Sequence, residues 1–67
     1  MLSARNQFKG VVKSVKLGGV MAEVIVTVGN LEFVSAITRS SAESLGLKVG
    51  DEVKAVIKST EVLIDKP

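Results

Sequence analysis

Residues 20–28 read Val-Met-Ala-Glu-Val-Ile-Val-Thr-Val, with Val20, Ala22, Val24, Val26 and Val28 at every second position. Successive side chains of an extended chain point to opposite faces, so this row forms one continuous apolar face of a strand. A helix would scatter the same residues around its axis. Gly18-Gly19 precedes the row and Gly29-Asn30 follows it. Both are two-residue hairpin signals, since glycine reaches positive φ at no steric cost. The strand therefore has neighbours on both sides in the sequence to complete its ladders.

Those neighbours have strand character. Residues 6–17 are rich in β-branched side chains, with Val11, Val15 and Leu17 on one parity and Phe8 and Val12 on the other. This pattern predicts a long first strand, partly buried on both faces. Residues 31–38 alternate Leu31, Phe33, Ser35 and Ile37 against Glu32, Val34, Ala36 and Thr38. The period then breaks. Ser40 stands three residues before Glu43, a capping-box spacing, and Gly46 suits the left-handed end of a short helical turn. After a turn at 49–51, residues 52–57 predict a fourth strand with Val53, Ala55 and Ile57 inward, and residues 61–64 a fifth. The expected fold is all-β: a five-stranded OB-like barrel with one short helix between strands three and four, a single domain over residues 1–67.

A chain of 67 residues buries only about 60% of the surface its unfolded form exposes, and such chains usually need a staple. No cysteine or histidine is present, so neither a disulfide nor a thiolate or imidazole metal site is available. Self-association remains. The apolar residues on the outer face, Met21, Ile25, Val34, Ala36 and Val56, point the same way, because contiguous apolar patches mark interfaces. No apolar run approaches the length of a membrane span, and the first residues lack the apolar core of a signal peptide. A cytoplasmic location is expected.

Without Cys or His the chain lacks the usual nucleophile and base, and its seven acids are scattered. Catalysis is not expected. Oxyanion binding is. Arg5 offers a planar fork of donors with Ser3 beside it, and Lys58-Ser59-Thr60 offers a cation with two hydroxyls. Thr38, Ser40 and Ser41 stand where strand three meets the helix. Each cluster taken alone is an ordinary terminus, turn or cap. Together they supply what a tetrahedral dianion needs: cations, hydroxyls and backbone donors.

Beyond composition, the chain resembles the molbindins and related molybdate-binding (Mop, or TOBE-type) domains. The resemblance rests on Ser3-Ala4-Arg5-Asn6-Gln7-Phe8-Lys9-Gly10, on Val20-Met21-Ala22-Glu23-Val24, on Ile37-Thr38 with Ser41, on the stretch from Ser44 to Val53, and on Ala55-Val56-Ile57-Lys58-Ser59-Thr60-Glu61-Val62. It spans nearly the whole sequence, although the Val28-Gly29-Asn30-Leu31 hairpin is shorter than is usual in the family. The resemblance implies homo-hexamers built as trimers of dimers, binding molybdate or tungstate between subunits for storage or buffering. It implies that Ser3 and Arg5 of one subunit meet Thr38, Ser41, Lys58 and Ser59 of another. A second oxyanion site would use backbone donors of Val20, Met21 and Ala22, and no protein atom would ligate the metal directly. The absence of an accompanying DNA-binding or ATPase portion favours a stand-alone binder.

Two other readings compete. OB barrels also bind nucleic acid, but that use needs stacking aromatics on a basic face. This chain has only Phe8 and Phe33, and a net charge of only +2. A structural assembly module without ligand is the other.

Overall fold

A computed structural model describes residues 5–67. Strand β1 runs over Asn6–Leu17, β2 over Met21–Val28, β3 over Leu31–Thr38 and β4 over Glu52–Ile57, with one helix, α1, over Arg39–Leu45. The strands form one antiparallel sheet in the order β3-β2-β1-β4.

The valine row forms the core as its alternation predicts. Ala22, Val24 and Val26 are buried, and Val12 of β1 meets Val26 across the ladder at 1% exposure. Val15, Val28, Ile37, Leu47 and Val53 pack around this cluster. Val20, expected at the start of the second strand, lies outside it and is exposed. The Gly18-Gly19 turn closes through a Gly18 N–H donating to the Met21 carbonyl at 2.7 Å, with neither glycine at positive φ. The β2–β3 turn does use positive φ, at Gly29 (φ 60).

In β1 a bulge falls between Val12 and Ser14. An extra residue on one strand reverses the inward parity. That is why Val12 and Val15, of opposite parity, both reach the core, while Val11, before the bulge, stays exposed. The bulge also lets the sheet curl. Phe8 of β1 stacks on Phe33 of β3 with ring centroids 5.4 Å apart, although β2 lies between the two strands in the sheet.

The helix is capped two residues earlier than the Ser40–Glu43 spacing suggests. Thr38 is the N-cap, and its hydroxyl accepts from the Ser41 N–H at 3.1 Å. Glu43 instead faces Arg39 at 3.5 Å. The other end stops at Gly46, left-handed at φ 62 and ψ 37 as expected.

The fifth strand does not form. Residues 59–61 make a 3-10 turn, with the Glu61 N–H donating to the Lys58 carbonyl at 2.9 Å, and residues 62–67 pair with no strand. A strand requires a ladder partner, and residues 62–67 have none. Leu63 and Ile64 are 90% and 88% exposed. The sheet is consequently an open, curled one rather than a closed barrel. Between the facing edges β3 and β4 runs a groove of about 410 Å³, lined mainly by apolar side chains including Phe33, Ile37, Leu47, Val53 and Ile57.

Candidate functional site

Ladder register decides which candidate donors lie together. Asn6 pairs with Ile57 at the last step of the β1–β4 ladder. Arg5 and Lys58 are the next residues outward on each strand, and Lys58 keeps an extended backbone (φ −64, ψ 140). Both are exposed. Ser59 follows at once, opening the 3-10 turn. Arg5, Lys58 and Ser59 thus form one cluster at the start of β1. Ser3 lies outside the described residues.

Thr38 and Ser41 belong to the other end. Met21 pairs with Thr38, and Ala22 pairs with Ile37 on one side and Leu17 on the other. The Thr38 cluster therefore sits beside the last residue of β1, whereas Arg5 precedes the first. At about 3.3 Å per residue, β1 puts on the order of 35 Å of strand contour between them. The division expected from the resemblance had Lys58 and Ser59 beside Thr38. Within one chain they instead stand beside Arg5, because β4 runs antiparallel to the opening half of β1.

At the second cluster the hydroxyls are ordered. The Thr38 hydroxyl donates to Ser41 Oγ at 2.8 Å while accepting the Ser41 N–H. The Ser41 proton is left to donate outward. The Val20–Ala22 stretch adjoins this cluster, with the Arg39 N–H donating to the Val20 carbonyl at 2.8 Å. Ala22 lies in an interior strand and is buried. Val20 and Met21, at 76% and 48% exposure, are the accessible members.

Arg39 is a cation that the sequence reading passed over. Its guanidinium donates to the Gly18 carbonyl at 3.2 Å and pairs with Glu43, tying the β1–β2 turn to the helix start. The available signal was its position next to Thr38. Glu43 is thereby held beside a positive charge, which reduces its repulsion of an anion near Ser41.

Removing the cap gives a direct stability test. Thr38→Ala is expected to cost about 1 kcal/mol, lowering the thermal midpoint of the ligand-free protein by roughly 4–8 °C. Thr38→Ser should recover most of it. A calorimetric scan in which alanine changes nothing would remove the capping role.

No polar side-chain atom among the described residues is buried without a partner, and no cluster of three acidic, His or Cys side chains is present among them. Phe8 and Phe33 are spent on each other, which leaves no aromatic platform for a stacked base. No helix of the described residues is long and apolar enough to cross a membrane.

Residues 2–64 match the TOBE domain family. The molybdenum-pterin-binding protein 3 of Clostridium pasteurianum is 52% identical over 64 residues, covering 94% of each chain. A molybdate-binding protein from Sporomusa ovata superposes with a TM-score of 0.94 at 38% identity, covering 98% of both chains. The cytoplasmic molybdate-binding protein ModG, solved with molybdate bound, matches at a TM-score of 0.83 and 43% identity over 88% of this chain and 43% of its own.

Proposed function

The chain belongs to the TOBE domain family, and on that premise we propose that it binds molybdate, or tungstate as an equivalent dianion, between copies of itself. The separation of its donors along β1 carries this reading. Arg5 and Lys58 supply positive charge and Ser59 a hydroxyl at one end, and Thr38 and Ser41 supply ordered hydroxyls at the other. Neither end alone encircles a tetrahedral ion. Two copies can bring the unlike ends together, with Ser3 joining Arg5. Backbone donors of Val20, Met21 and Ala22 would serve a second oxyanion site next to Thr38.

The exposed apolar surface supports self-association. Leu63, Ile64, Val20, Leu45, Val49 and Val34 are each more than half exposed, a poor arrangement for an isolated chain. The open edges of β3 and β4 and the unpaired tail are consistent with a five-stranded barrel completed only on assembly. A homo-hexamer arranged as a trimer of dimers is the proposed state.

The role is storage or buffering in the cytoplasm by a single-domain protein without catalytic activity. Arg5 and Lys58 offset the charge of the dianion, and hydroxyl and backbone donors orient it. No bond forms or breaks. Ligand that binds only the assembled state stabilises it by mass action.

Native mass spectrometry with and without molybdate tests the proposal, since it reports subunit number and bound ions together. An oligomer that retains molybdate is expected. A monomer that retains none would overturn it, and an oligomer indifferent to oxyanions would leave a structural assembly module.

A further inference from the structure

The β1–β4 ladder sets like charges opposite one another. Lys9 pairs with Lys54, Gln7 with Val56, and one step beyond the last pair stand Arg5 and Lys58. These positions alternate with Gly10, Phe8, Val53, Ala55 and Ile57, so the four cations lie on the face opposite the core, with Lys54 also bordering the groove at the β4 edge. All four are exposed. The two ion pairs among the described residues use Lys13 with Glu32 and Arg39 with Glu43, and draw on none of them. Glu52, opposite Val11, bounds the row at one end, and Glu61 lies in the turn beyond Lys58 at the other.

Like charges directly opposite across a ladder oppose folding, and nothing in the packing of this exposed face requires them. A doubly negative ligand turns the same arrangement into an attraction. We propose that Lys9 and Lys54 form a long-range capture point that draws the tetraoxo dianion toward the Arg5–Lys58 end without contacting it there; this rests on the oxyanion-binding reading above. Four residues of strand separate Lys9 from Arg5, about 13 Å. That is too far for a hydrogen bond. It is well inside the screening length of about 30 Å at 0.01 M salt, and well outside that of a few ångströms near 1 M. Two positive charges at this distance from a dianion change its binding by roughly 3- to 5-fold at low salt.

The test is calorimetric titration of the whole chain with sodium molybdate at 10 mM and at 500 mM ionic strength. Lys9→Gln/Lys54→Gln should weaken binding about 3- to 5-fold at 10 mM and leave it unchanged at 500 mM. Lys9→Glu/Lys54→Glu should roughly square the low-salt loss. Two results overturn the inference while leaving molybdate binding intact: equal affinities of wild type and the glutamine variant at 10 mM, or a loss that persists at 500 mM, which would make the lysines direct ligands. Failure of the wild type to bind molybdate at either salt would instead strike the oxyanion-binding reading itself.

Discussion

Arg5→Ala and Lys58→Ala are each expected to weaken molybdate binding by about 10- to 100-fold, with the fold unchanged. A hydrogen bond to a charged group contributes roughly 1.5–3 kcal/mol, and 1.4 kcal/mol is a factor of ten in affinity. Both side chains are exposed and engage no ion pair among the described residues, so their removal leaves no packing defect. The pair flanks the last ladder step, Asn6 with Ile57, so the proposed ion would be met from two strands. The double variant should therefore lose less than the product of the single losses, because each cation partly compensates for the other. Titration calorimetry supplies the affinities, and circular dichroism supplies the control on folding. Wild-type affinity in both single variants would remove these residues from the site.

Gly10→Ala should be among the most destabilising single-methyl additions in the chain. A Cβ at Gly10 would collide with the Thr27 carbonyl oxygen and stand 2.8 Å from both Val26 Cγ1 and Val28 Cγ2. The valine methyls can shift slightly, but the carbonyl belongs to the backbone of an interior strand. Overpacking of this kind costs about 1–3 kcal/mol, and the upper end applies where backbone must move. A thermal midpoint lower by roughly 10–20 °C follows for a chain of this size. Gly19→Ala is the internal control, since no atom lies within 4 Å of its added methyl. Equal midpoints for the two variants in a ligand-free thermal melt would show that β1 and β2 are not packed as described.

These two predictions differ in how far the sequence alone reaches. Arg5 and Lys58 stand out by residue type, because a guanidinium and an ammonium beside hydroxyl-bearing residues suit an oxyanion. Their adjacency does not, since it comes from the antiparallel pairing of β1 with β4. The tight approach at Gly10 is equally invisible along the chain, because Thr27 reaches it only through the β1–β2 ladder. The Ser40–Glu43 spacing fits a capping box, yet Thr38 caps the helix, since β3 ends there and its hydroxyl meets the Ser41 N–H first.

The buried face of β2 was settled by local chemistry. Its period-two valines permit one extended arrangement with one apolar side, and Gly29 and Gly46 mark turns that require a left-handed residue. What depended on distant pairing was left to the tertiary structure. A bulge is a mismatch between two strands, so Val12 and Val15 could share the core only once β2 was alongside. A strand is a hydrogen-bonded relation rather than a property of its own residues, so the β-prone segment at 61–64 remains unpaired where no edge meets it. The grouping of the donors into two ends of β1 is likewise a matter of register, because backbone hydrogen bonds fix which residues stand opposite, whatever their side chains can do.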